Sequence, residues 1–324
     1  MNTFQNTTPS LASFMDGLID YAGLFPPAKL NLHDTLVNML RGQKFTEFWM
    51  ISSLVLPVNQ LDNLISTLVD LGETDAFFPI SFVASRAESE TVFFDTLNTD
   101  IKRIKEFFEL HPNFSAKAFE IALPPSICHS ENRDNLSLFV KDTASILIEA
   151  KLNPFIEVSA GEHWLSSMHI AVTAIAEINK NSAEKASFKI RCGGIKPEMM
   201  PPSENVAHTI LYCKEKGISL KATAGLHHPL KHFNDDLGGL MHGFINVFGS
   251  AILAKVNDFS FETLVQMLND EKPDSFIFSE NTLSWKNYSV TSEEIKKYRS
   301  FITSYGSCSF DEPIEDLQTL KLLK

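Results

Sequence analysis

Eight times along this chain, a short apolar run rich in β-formers is followed in most cases by a longer stretch with apolar residues every three or four positions. The runs are "GLIDYAG" near residue 17, "FWMISSLVLP" from Phe48, "FFPISFVAS" from Phe77 and "AKAFEIALP" from Ala116. They continue with "NPFIEVSAG" from Asn153, "SFKIRCGG" from Ser187, "ISLKATAG" from Ile218 and "GFINVFGS" from Gly243. Between them lie amphipathic stretches such as "NQLDNLISTLVDLG", "NLSLFVKDTASILIEAKL" and "SENVAHTILYCKEKG". This order predicts a parallel (β/α)8 TIM barrel over residues 1–256, with an α-rich C-terminal extension, residues 257–324, packed on it. A doubly wound open sheet is the competing α/β solution, but no G-x-G-x-x-G follows the first run, as a dinucleotide fold would require.

Composition narrows the function classes. A hydrophobic content of 44% and a charged content of 21% suit a packed globular chain rather than a disordered one. With 28 Lys and Arg against 40 Asp and Glu, the formal net charge is −12, which argues against nucleic acid or an anionic membrane as partner. No apolar run is long enough for a membrane span, and the N-terminus does not read as a secretory signal. The four cysteines show no C-x-x-C pair and no disulfide framework, so a reducing, cytoplasmic setting is expected.

Strand alternation singles out the polar residues. In a barrel strand, successive side chains point to the interior and to the helix layer in turn. If Phe188 and Ile190 face the helices, Lys189 and Arg191 face inward; if Leu220 and Ala222 face out, Lys221 and Thr223 face in. The same alternation turns Asp20, Glu120 and Glu157 inward. Lysine is seldom fully buried, because an unpaired ammonium is costly to desolvate. A cluster of such groups toward the strand C-termini is therefore a candidate active site. Paired cations and carboxylates with a purely structural role remain the alternative for any one of them.

These residues, in this order, resemble deoxyribose-phosphate aldolase, a class I, Schiff-base aldolase family on a (β/α)8 barrel. The likeness spans roughly residues 12–256. "LIDYAGL" sets Asp20 where the family has an acid in its first strand, and "FEIALP" sets Glu120 where the fourth strand carries one. "KIRCG" stands where the sixth strand reads K-T-S-T-G, with Lys189 at the Schiff-base position. "KATAGLH" stands where the seventh reads K-x-x-G-G-I-R, with Lys221 at the second lysine. "VFGSAILAK" supplies Gly249 and Ser250 for a glycine-serine turn opening a helix.

The resemblance implies a lyase that needs no metal or organic cofactor and acts on a small carbonyl compound. Lys189, Lys221, Glu120 and Asp20 would be its catalytic groups. Lys221 and Arg191 are expected to keep Lys189 partly neutral by like-charge repulsion. Departures from the family motifs put phosphate recognition in doubt: Glu120 replaces an Asp, and "AGLHH" replaces the arginine-bearing turn. The anionic end of the substrate is then expected on Arg191, with Glu157, Thr223, Gly193, Gly194, Gly225, His227, His228, Gly249 and Ser250 completing the binding set. Self-association into a homo-oligomer is left open.

Two other functions stay in play. His227, His228, His232 and His242 in "GLHHPLKHFNDDLGGLMHGF" are the residue types of a metal site, and would make a metal-dependent hydrolase or isomerase. A barrel that binds a small anion without catalysis is the third reading. Cys308, in "GSCSFDEP", has no histidine near it in sequence and reads as part of a turn, with Asp311 capping the segment after it.

Overall fold

The computed structural model describes residues 7–87, 89–129 and 133–324. Among these residues, the first seven parallel strands are β1 (Ile19–Tyr21), β2 (Ile51–Pro57), β3 (Pro79–Val83), β4 (Ser115–Ala122), β5 (Pro154–Glu157), β6 (Ser187–Arg191) and β7 (Leu220–Thr223). A hairpin of β8 (His232–Asn234) and β9 (Gly239–Met241) follows, then an antiparallel meander of β10 (Phe276–Phe278), β11 (Thr282–Trp285) and β12 (Tyr288–Thr291). The eighth parallel strand is β13 (Ile302–Ser307), which lies between β1 and β7 and closes the barrel in the order β1-β13-β7-β6-β5-β4-β3-β2. No helix of the described residues is long and apolar enough to cross a membrane.

The (β/α)8 expectation holds, and its boundary does not. "GFINVFGS" is no strand: it opens the helix Phe244–Val256, which is buried on nearly every face. A continuous apolar run has no period to separate strand from helix, so length must arbitrate, and thirteen residues favour the helix. The residues taken for an appended extension supply the strand without which the barrel would stay open. A division at residue 256 would cut that barrel.

Local signals explain how the strands are delivered. Asn31 caps the helix Leu32–Gly42 by accepting a hydrogen bond from the Asp34 amide at 2.8 Å. The helix Ser203–Lys216 ends at Gly217, whose left-handed φ of +69° turns the chain into β7. Outward-facing Phe188, Ile190, Leu220 and Ala222 are buried against the helix layer. That packing fixes the register of β6 and β7, in which Lys189 lies beside Lys221 and Arg191 beside Thr223.

Candidate active site

Six ionisable side chains from five strands meet inside the barrel as a ladder of alternating charge. Arg191 Nε donates to Glu157 Oε1 at 3.1 Å, and Glu157 Oε2 lies 2.8 Å from Lys189 Nζ. Lys189 also donates to Glu120 Oε2 at 3.0 Å. Glu120 Oε1 lies 2.8 Å from Lys221 Nζ, and Lys221 in turn donates to Asp20. Three carboxylates and three cations thus balance to zero. Buried charge is tolerated only when it is paired and hydrogen-bonded in this way.

The ladder has an enclosed end and an open one. Lys221 is 1% exposed and Lys189 5% exposed, whereas the Arg191 side chain is 42% exposed. At the enclosed end, Asp20 accepts hydrogen bonds from Ser53 on one oxygen and from Ser304 and Lys221 on the other, and Ser53 lies 2.8 Å from the Ser81 hydroxyl. Phe155 sets its ring 5.8 Å from the Lys221 ammonium. At the open end, Thr223 Oγ1 is buried with no hydrogen-bond partner among the described residues, a group a bound molecule would satisfy.

The ion pairs decide the protonation states. Burial favours the neutral amine of Lys189, but Glu157 and Glu120 outweigh it and hold the pKa above the ordinary 10.5. Lys221 is raised too, burial being overcome by Asp20 and Glu120. Burial would push the Glu120 carboxyl up, yet Lys221 and Lys189 bring it down to about 2. Glu157 is likewise lowered, burial being opposed by Lys189 and Arg191. Like-charge repulsion does not keep Lys189 neutral, contrary to expectation. Glu120 stands between the two lysines, and each cation answers to a carboxylate first.

Other expected site residues fall in different places. Gly193 and Gly225 space two backbones: a Cβ on Gly193 would sit 2.6 Å from Gly225 Cα, and one on Gly225 2.8 Å from Gly193 Cα. Both Ala224 and Gly225 are left-handed, with φ of +61° and +70°, which turns the chain sharply after β7. Gly194 abuts the Met199 side chain. Gly249 and Ser250 lie inside the helix Phe244–Val256, Gly249 against Phe276, so they form no helix-opening turn and no anion cradle.

The histidines do not assemble. His227 Nδ1 faces Glu312 Oε2 at 3.3 Å, while His228 Nδ1 meets Asp316 Oδ2 at 2.6 Å. His232 is bound to the Leu230 carbonyl and stacks edge-on to His228. His242 is buried against the Pro201 carbonyl at 2.8 Å, and burial pushes its pKa down to about 4. Among the described residues, no three His, Cys, Asp or Glu side chains converge as a metal site requires. Among the described residues the four histidines named for a metal site each face a different partner.

Sequence reasoning misses the hydroxyls that hold Asp20. Ser53 and Ser81 interrupt apolar strands at inward positions, and the alternation applied to the lysines would find them. Ser304 is out of reach, because its own strand does not stand out in the sequence.

Fold and site together define a (β/α)8 barrel with a polar, ion-paired interior opening at the C-terminal ends of its strands. No protein-family model matches the chain. No curated protein matches it either. Among solved structures, a tetrameric deoxyribose phosphate aldolase from Aeropyrum pernix is similar, at 14% identity and a TM-score of 0.42, over 68% of this chain and 81% of that one. The fold assignment rests on the strand ladder itself.

Proposed function

We propose that the chain is a lyase of the Schiff-base aldolase kind, in which Lys189 forms an imine with a small, anionic carbonyl compound. The observation that supports this most is the Lys189–Glu120–Lys221 bridge: two amines on adjacent strands share one carboxylate, and the amine nearer the mouth is Lys189. Arg191 binds Glu157 through its Nε, and among the described residues the outer edge of the guanidinium is left for a carboxylate or phosphate of the substrate. Lys189 must first give up a proton, and Glu120 or Glu157 is within reach to relay it. Neutral Nζ then adds to the carbonyl carbon, water leaves, and the iminium accepts the electron pair of the C–C bond that breaks. Lys221, held by Asp20, fixes Glu120 in place throughout.

A specific observation favours a second reading. Both lysines are raised rather than lowered, the state of satisfied ion pairs, and this suits a barrel that binds a small anion without chemistry. Borohydride trapping with a panel of small aldehydes and ketones, mapped by peptide mass spectrometry, separates the two. A stable adduct on Lys189 upholds the lyase. A folded protein that traps nothing across the panel, even at alkaline pH, leaves the anion-binding barrel.

A further inference from the structure

Tertiary structure gives Cys308 a partner that the sequence hides. Beyond β13 the chain turns into the last helix, Asp311–Thr319. In that turn Cys308 Sγ lies 3.8 Å from His227 Nδ1, the nitrogen that also faces Glu312. Cysteine comes from the end of β13, histidine from the loop after β7 and glutamate from the first turn of the last helix. The turn is pinned: Ser307 Oγ donates to the Ser309 carbonyl at 2.5 Å, and Ser309 Oγ accepts from the Glu312 amide at 3.2 Å. Asp311 does not cap the helix as expected; it sits in its first turn and pairs with Arg41 at 2.5 Å.

The other cysteines make a sharp contrast. Cys128, Cys192 and Cys213 are wholly enclosed, whereas Cys308 keeps 7% of its surface. Burial raises all three enclosed thiols, Cys192 to about 12. For His227, burial is outweighed by Cys308 and Glu312, and its pKa rises to about 9. An imidazolium and a helix N-terminus are the settings in which a thiolate forms. Glu312 and Asp311 bring opposing negative charge to the same turn, but Asp311 is spoken for by Arg41 and Glu312 by His227.

We propose that Cys308 is a redox-reactive thiol, oxidised by small hydroperoxides beside a protonated His227 that serves as proton donor. The thiol proton is lost to solvent, leaving a thiolate beside the His227 imidazolium, and the thiolate attacks one peroxide oxygen. An S–O bond forms as the O–O bond breaks. Sulfur is oxidised to the sulfenic acid, and the leaving hydroxide or alkoxide takes a proton from the His227 imidazolium and departs as water or alcohol, His227 regaining its proton from solvent. This holds whether or not Lys189 forms an imine.

The test exposes the full chain to hydrogen peroxide, traps sulfenic acid with dimedone and reads all four cysteines by peptide mass spectrometry. Cys308 is expected to label about tenfold or more ahead of Cys128, Cys192 and Cys213, and His227→Gln to slow it about tenfold. Labelling of Cys308 no faster than the enclosed three would overturn the proposal, as would unchanged labelling in the folded variant. Should His227→Gln unfold, Cys213 labels with the rest, and the comparison among thiols in the parent chain alone decides.

Discussion

Lys221 and Lys189 sit side by side on neighbouring strands, each between two carboxylates, yet they occupy different kinds of place. Every group around Lys221 belongs to the enclosed end: Asp20, its serines and the inner oxygen of Glu120. Around Lys189 the partners lead outward, through Glu157 to a half-exposed Arg191. Losing a cation from the enclosed end strands buried negative charge. At the open end, Glu157 keeps Arg191 and Glu120 keeps Lys221, so Lys189 is the cation that can change state at least cost. On the proposed reading, one lysine holds the scaffold and the other reacts.

The largest expected effect tests reactivity. Lys189→Ala should abolish every borohydride-trapped adduct, and an adduct of undiminished yield in that variant would place the chemistry elsewhere. Lys221→Met should be next, through stability: it leaves Asp20 and half of Glu120 unpaired, a loss of about 3–5 kcal/mol in denaturant unfolding. Lys189→Met should cost distinctly less, about 1–3 kcal/mol, because both its carboxylates retain a cation. Equal costs for the two would erase the distinction between the ends.

The pH dependence sharpens the same contrast. With the Lys189 pKa held above 10.5, the neutral amine is scarce at pH 7, and trapping should speed up about tenfold per pH unit toward alkaline pH. A rate flat from pH 7 to about 9 would mean a neutral lysine and an open ladder. In acid the sign reverses. Glu120 is depressed from 4.5 to about 2, so its contribution is complete above 4.5 and is lost as pH falls toward 2. Thermal unfolding across that interval reads the loss. Arg191→Gln should have the smallest effect on stability, within about 1 kcal/mol, while weakening the uptake of anionic carbonyl compounds in trapping assays.

Much of the barrel and its charged interior is legible in the residues alone. Seven of eight strands announce themselves by apolar runs between amphipathic helices, and alternation within β4 to β7 aims Glu120, Glu157, Lys189, Arg191 and Lys221 at the interior. The eighth does not. "FITSYGS" is short and polar at the positions that face inward, and the more apolar "GFINVFGS" outranks it. Ser304 goes unseen with its strand, while Gly249 and Ser250 are assigned to a site they do not touch.

Residue type and period depend on near neighbours, so the chain alone determined the class of fold and which charges must be buried. Pairing is a matter of distance between segments far apart in sequence. Only the closed barrel could set Glu120 between the two lysines, keep both protonated, give the four histidines separate partners and bring His227, 81 residues away in sequence, to Cys308. Electrostatic energy falls with separation in space and takes no account of separation along the chain.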